Sequence, residues 1–288
     1  MERVGPPGPT RILAELVYWD GRLLDPQTAS ISINDRAFLF GDGVYEVIRS
    51  YEGKLFSLDE HLRRLQLSMA ALDLASPDAG GDLASLIGDL YKKSGMADAK
   101  IYLQITRGSE PRNHLFSLDL EPNLYVNVSA IPPDNGAGQV SAITVPDLRW
   151  HMCNVKSTSL VANILAKHRA RQAGAGDAVF VRDGMVTEAA SSNVFIVEDG
   201  CLYTHPADNH VLAGVTRKHV LDLAQDKGIP VREEKVSRER LQTASEVLLS
   251  DTIHDVYPVV MIDGQPVKDG KPGPVAGLLR SAFRELTR

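Results

Sequence analysis

The stretch FVRDGMVTEAASSNVFIVEDGCLYT, Phe180 to Thr204, holds two Asp-Gly pairs, each flanked by short apolar or β-branched runs. Asp-Gly tolerates positive φ at both central positions of a two-residue turn, so each pair reads as the tip of a β-hairpin. Successive hairpins set neighbouring strands antiparallel, whereas a doubly wound fold needs a helix between consecutive parallel strands. The same signature recurs in VYWDGRLL and VMIDGQPV, and IRSYEGKLFS carries Glu-Gly in its place. Antiparallel sheet is therefore expected in both halves of the chain.

Helices fall between the hairpins. SLDEHLRRLQLSMAAL opens on Ser57 with Glu60 three residues on, a capping box, and sets Leu58, Leu62, Leu65 and Met69 in one apolar stripe. GDLASLIGDLYKKSG runs from Asp82 to a stop at Gly95. TSLVANILAKHRARQAG carries Leu160, Val161, Ile164 and Leu165 on one side and ends at Gly174. VTRKHVLDLAQDKG ends at Gly228, and VAGLLRSAFREL is the last helix. AKIYLQITRG and NLYVNVSAI alternate like strands. AIPPDNGAGQVSA, Ala130 to Ala142, is rich in Pro and Gly and marks a boundary. The expected architecture is α+β in two domains: a smaller one over 1–129, a linker over 130–142 and a larger one over 143–288.

Composition bounds the function. The 288 residues are 43% hydrophobic and 24% charged, ordinary for a globular protein. A net charge of −6 without a long basic run disfavours nucleic acid and anionic membrane as partners. Cys153 and Cys201 fit neither a disulfide framework nor a zinc spacing, and the eight histidines form no HExxH motif. No metal is expected. MERVGPPGPTR lacks a signal peptide's apolar core and reads as a short flexible tail, so the expected compartment is the cytoplasm.

Several weak signals gather around one lysine. Lys156 sits among small neighbours in HMCNVKSTSL. In FGDGVYEV, Tyr45 and Val47 share one face of a strand that follows a glycine turn. In TRGSEPRNHLF an extended backbone sends Arg112 and His114 to one side, either as solvated loop residues or as a trap for a carboxylate. Glu188 ends a hairpin strand before small residues that let a flat ligand approach; the plainer reading is an exposed strand-end carboxylate. Gly214, Val215 and Thr216 open a helix, either as a phosphate-binding N-terminus or as simple capping by Thr216. Ser250, Asp251 and Thr252 end an apolar strand and either cap a turn or meet an anion, and Arg64 is either a solvated charge or that anion's counter-ion. GAGAGD follows a helix and lacks the P-loop lysine, so it reads as a helix stop. Together these residues are the parts that pyridoxal phosphate and an amino-acid substrate need: a lysine, a carboxylate for the ring nitrogen, a phosphate cup and a carboxylate clamp.

FGDGVYEVIRSYEGKLF, DEHLRRL, YLQITRGSEPRNHLF, CNVKSTSL, VTEAASSNVF, YTHPADNHVLAGVTR and DGQPVKDGKPG occur in that order. By them the chain resembles the fold type IV pyridoxal-phosphate aminotransferases, and within them most the D-amino-acid aminotransferases, from about Leu16 to the last helix, and the resemblance implies mixed and antiparallel sheets with flanking helices. The resemblance makes Lys156 the Schiff-base lysine and catalytic base, and Glu188 the partner of the pyridine nitrogen. Arg64, the backbone at Val215 and Thr216, and Thr252 then hold the phosphate, and Leu212 lies near the ring. Tyr45, Arg112 and His114 hold the substrate α-carboxylate, the Arg-His pair lent by the other subunit of a homodimer.

The implied activity is ping-pong transamination between a D-amino acid such as D-alanine and a 2-oxo acid such as 2-oxoglutarate. On the same fold, an L-branched-chain aminotransferase and a 4-amino-4-deoxychorismate lyase are the alternatives, with a non-catalytic ligand-binding relative behind them. PRNH favours the D-specific group. Two positions depart from the family pattern: Ala189 and Ala190 stand where glycine and serine are common, and Asp251 stands near the expected phosphate cup, where a hydroxyl is the better neighbour.

Overall fold

The computed structural model describes residues 15–131 and 138–288. The N-terminal tail and the middle of the expected linker lie outside the described residues. Six strands, β1 (Glu15–Trp19), β2 (Arg22–Leu24), β3 (Gly43–Tyr51), β4 (Lys54–Leu55), β5 (Ala99–Thr106) and β6 (Asn123–Ala130), form an antiparallel sheet in the order β2-β1-β6-β5-β3-β4. Three helices, α1 (Arg36–Phe40), α2 (Leu58–Ala71) and α3 (Leu83–Ser94), accompany it. Its core joins Val44, Ile48, Ile101, Leu103, Val126 and Val128 of the sheet to Leu65 and Met69 of α2 and Ile87 and Leu90 of α3.

A second, ten-stranded sheet follows. It contains β7 (Val140–Pro146), β8 (Asp177–Arg182), β9 (Met185–Ala189), β10 (Asn193–Glu198), β11 (Cys201–Thr204), β12 (Val231–Glu233), β13 (Val236–Ser237), β14 (Glu246–Asp251), β15 (Asp255–Ile262) and β16 (Gln265–Pro266). The order is β12-β11-β10-β14-β15-β7-β8-β9-β13, with β16 on β15. β7 is parallel to both β8 and β15, and β11 to β12, so the sheet is mixed. The accompanying helices are α4 (Val161–Gln172), α5 (Val215–Asp226), α6 (Arg238–Thr243) and α7 (Pro274–Leu286). α5 and α7 bury Val220, Leu221, Leu279 and Phe283 against Phe195, Leu248 and Val256 of one face, while the other face packs around Val179, Ile196 and Leu249.

All five hairpin turns form with positive φ at both central residues: Asp20-Gly21, Glu52-Gly53, Asp183-Gly184, Asp199-Gly200 and Asp263-Gly264. Asp82 caps α3 through the Ser85 N–H at 3.1 Å, and Gly95 closes it in the left-handed region. Two details differ from the sequence reading. Ser57 takes φ 52° and makes no capping bond; its hydroxyl instead lies 2.7 Å from His219 Nε2 on α5, joining the two halves. On α4 the buried residues are Ala166 and Ala170, and the Val161, Ile164 and Leu165 side chains face outward. Small side chains let the helix approach β8 closely, leaving its larger apolar face uncovered.

Candidate active site

A cleft of about 900 Å³ opens where the two halves meet, bordered by α1, β3, α2, the β7–α4 connection, the turn after β9, the start of α5 and the end of β14. Tyr45, Arg64, Lys156, Glu188, Leu212, Val215, Thr216 and Thr252 all line it. Residues more than 200 positions apart thus converge on a volume in the range of cofactor pockets.

Lys156 is placed by its backbone. Its N–H donates to Ser68 Oγ (3.1 Å), its carbonyl accepts from the Tyr45 N–H (2.9 Å), and the Thr158 N–H donates to the Gly43 carbonyl (2.9 Å). This lacing requires Gly41, whose φ is 70° and where a Cβ would meet Ser159 Oγ at 2.6 Å. The glycines of FGDG therefore let the lysine segment dock on the start of β3. Lys156 is half-buried, its Nζ 4.1 Å from the centre of the Tyr45 ring.

Arg64 is held more tightly than its helical position announces. Its Nε and Nη2 donate to the two carboxylate oxygens of Glu46 at 2.7 and 2.8 Å, and its Nη1 to the Ala213 carbonyl at 3.1 Å. Glu46 is fully buried and also lies 2.9 Å from His61 Nδ1. Burial alone pushes the Glu46 carboxyl upward, but the charge and hydrogen bonds of Arg64, with help from His61 and Lys156, outweigh it and hold the group at about 2. Neither Glu46 nor His61 was expected. The available signal was parity: Glu46 alternates with Val44 and Ile48 on the core face of β3, opposite Tyr45 and Val47.

Glu188 is also buried rather than an exposed strand end. One oxygen is paired with Arg149 Nη1; the other accepts from the Leu212 N–H (3.0 Å) and Asn193 Nδ2 (3.2 Å). Arg149 in turn donates to Asp147 Oδ2 at 2.8 Å and to the His210 carbonyl at 3.1 Å. Burial raises the Glu188 carboxyl above its ordinary range, and Arg149 and the Leu212 N–H pull it back toward the ionised form. Arg149, Asp147 and Asn193 were missed; Asp147 and Arg149, two apart before the lysine, gave the one legible hint. Nearby Cys153 is pushed up to about 11 by burial, so its thiol stays protonated.

At the start of α5, Gly214 is the N-cap and offers no side chain, so the simple reading of Thr216 as the cap is replaced by uncapped backbone N–H groups bordering the cleft. A Cβ at Gly214 would lie 2.1 Å from Asn193 Oδ1. Ser250 Oγ, also on the cleft, is buried with no hydrogen-bond partner, a donor held ready for a ligand. Asp251 is tied down locally: its carboxylate accepts from the Ile253 N–H (2.7 Å), the His254 N–H (2.8 Å) and Tyr257 OH (3.0 Å), and lies 2.9 Å from His254 Nδ1. Burial raises its proton affinity, the His254 and Ile253 contacts more than reverse that, and the carboxylate is satisfied without a cofactor. An arginine, free helical N–H groups and hydroxyls beside a lysine and a buried carboxylate fit a phosphorylated pyridine aldehyde.

Arg112 and His114 do not line this cleft. Their segment is bent rather than extended, and both are exposed. They meet on Phe40, a cleft residue: the Arg112 guanidinium lies 5.1 Å from its ring centre and the His114 ring 5.7 Å.

A family model described as class IV amino-transferase matches residues 43–262. The chain is 40% identical over 272 residues to a D-alanine aminotransferase of Staphylococcus haemolyticus, covering 93% of this chain and 96% of that protein. It is 39% identical over 270 residues to the D-alanine aminotransferase of Bacillus licheniformis, covering 93% of this chain and 95% of that protein. Among solved structures, the branched-chain aminotransferase of Thermoproteus uzoniensis with norvaline superposes with a TM-score of 0.87 at 28% identity, covering 94% of each chain. The branched-chain amino acid aminotransferase of Escherichia coli also gives 0.87, at 25% identity, covering 95% of this chain and 94% of that one.

Proposed function

Because this chain belongs to the class IV aminotransferases, we propose that it transfers the amino group of a D-amino acid such as D-alanine to a 2-oxo acid, with pyridoxal 5′-phosphate in the cleft. What carries the reading is one juxtaposition, Lys156 and buried Glu188 in a single cleft with the open N-terminus of α5, in a chain about 40% identical to D-alanine aminotransferases. The branched-chain enzymes share the fold at 28% and 25% identity, a weaker likeness than the D-specific one.

The bound cofactor supplies an electron-accepting ring that acidifies the substrate Cα–H. Glu188, paired with Arg149, would favour a protonated ring nitrogen. Arg64, oriented by Glu46, binds the phosphate together with the first N–H groups of α5 and the hydroxyls of Thr252 and Ser250. Lys156 would hold the cofactor through its amine, and that neutral amine would move the Cα proton of the substrate. Leu212 packs by the ring, and Tyr45 borders the substrate beside Lys156.

The α-carboxylate clamp is Arg112 and His114 of the partner subunit in a homodimer. Two observations support that assembly: this chain's own pair lies outside its cleft, and Val161, Ile164 and Leu165 on α4 are 70%, 63% and 51% exposed, an apolar face that a second copy would cover. Substrates are small amino and oxo acids. No helix among the described residues is long and apolar enough to cross a membrane, and we place the enzyme in the cytoplasm. The direct test is glutamate formation from 2-oxoglutarate with D-alanine as donor, set against L-leucine as donor. Turnover with D-alanine at least ten times that with L-leucine supports the reading; the reverse order assigns the chain to the L-branched-chain group.

A further inference from the structure

Among the described residues, one ligand set lies outside the cleft. The turn after β11 gathers His205, Asp208 and His210 so that a nitrogen from each ring and a carboxylate oxygen lie within 4.8 Å of one another. Asp208 Oδ1 is 3.7 Å from His205 Nδ1, and Oδ2 is 3.5 Å from His210 Nδ1. These separations are too long for good hydrogen bonds. The two separations run to different oxygens of the carboxylate, so an ion held through one oxygen, with ligand atoms about 3.3 Å apart, draws the set together from within 4.8 Å by side-chain rotation. Three ligand side chains thus converge on one volume.

Their protonation suits ligation. His205 is buried, and burial lowers its proton affinity, keeping the imidazole neutral. Burial works against the Asp208 carboxylate, while the hydrogen bond from the His210 N–H favours its ionised form. His151 packs against His210 at 5.6 Å yet is not a donor to this site, because the Arg182 guanidinium donates to its Nδ1 at 3.2 Å. Seating an ion requires His205 Nδ1 to leave the Pro206 carbonyl, 2.9 Å away, and to carry its proton on Nε2.

The turn is held in place from several sides. Asp208 Oδ1 accepts from the His210 N–H at 2.8 Å, Asn209 Nδ2 donates to the His151 carbonyl at 2.9 Å, and the Asn209 carbonyl accepts from the Cys153 N–H at 2.9 Å. Asp208 and His210 are half-exposed, so water can complete the coordination. We infer that His205, Asp208 and His210 form a site for a first-row divalent transition metal ion such as zinc, bound by two imidazoles and one carboxylate. The site is independent of the transamination chemistry but touches it: the His210 carbonyl anchors Arg149, and Leu212, two residues on, donates its N–H to Glu188. An ion here braces the loop that holds Glu188 in position.

The test uses cofactor-loaded protein freed of metal with a chelator and titrated calorimetrically with zinc chloride. One zinc per chain is expected, with affinity falling at least tenfold in both Asp208→Asn and His210→Gln and unchanged in His168→Ala, an exposed histidine on α4. Zinc should also raise the Tm of the wild type and not of the two site variants. The visible cofactor spectrum checks that all variants fold. Wild-type binding no tighter than in the two site variants, or binding lost in His168→Ala, overturns the assignment.

Discussion

Lys156 and Glu46 show how differently two residues of the candidate site announce themselves. Lys156 was legible because its small neighbours and its place in an ordered set of motifs marked it. Glu46 was not, since a lone carboxylate on a core parity has no meaning until Arg64 and His61 are seen to share it. Replacing Lys156 with Ala should leave a folded protein and reduce transamination by at least about 10³-fold, within the range of about 10²–10⁴ that loss of a positioned proton-transfer group gives; steady-state turnover beside a circular dichroism spectrum checks this. Glu188→Gln keeps the side-chain size but removes the charge and one of the two acceptors, so kcat should fall about 10²-fold while cofactor remains bound.

Glu46 also makes a pH prediction. Its carboxyl lies near 2 when folded against an ordinary 4.5, so the stabilisation it contributes is fully present above about pH 4.5 and is lost as pH falls through 2. That displacement corresponds to on the order of 3 kcal/mol. In Glu46→Gln, unfolding free energies measured between pH 5 and 2 should fall less steeply than in the wild type.

At the scale of elements, turns and helix ends were readable because their chemistry is local: Asp-Gly and Glu-Gly fix five hairpins, and Asp82 and Gly95 bound α3. What failed depended on distant partners. Ser57 gave up its cap for His219, and α4 hid alanines instead of its larger side chains, because close approach to β8 decides which face goes in. The open start of α5 depends on Gly214, where a methyl group would collide with the Asn193 side chain that supports Glu188. Gly214→Ala should therefore weaken cofactor retention at least tenfold, measured by equilibrium dialysis of pyridoxal phosphate, with little change in the melting of the apo-protein.

For the whole molecule, the α+β class and antiparallel character followed from the hairpins. A mixed sheet was implied by the family resemblance alone; which strands run parallel, β7 with β8 and β15, was not legible, because long-range pairing has no local signature. The resemblance implies that Arg112 and His114 serve the other subunit, and this chain's own pair lies outside its cleft. If the clamp comes from the partner subunit, Lys156→Ala and Arg112→Ala chains should complement one another. A mixed dimer has one cleft with an intact lysine and an intact borrowed arginine. Mixing the two inactive variants under subunit exchange should restore about a quarter of wild-type activity, a statistical share; no recovery would place the clamp within one subunit.

The central claim is that Lys156 carries pyridoxal phosphate and that the complex accepts a D-amino acid. It is tested most directly by the near-ultraviolet and visible spectrum of the cofactor-loaded protein before and after D-alanine is added without an oxo acid. The expected result is a visible band from the lysine-bound cofactor that bleaches to the aminated form with D-alanine, persists with L-alanine and is missing in Lys156→Ala. A wild-type protein that forms no such band, or whose band is indifferent to D-alanine, would contradict it.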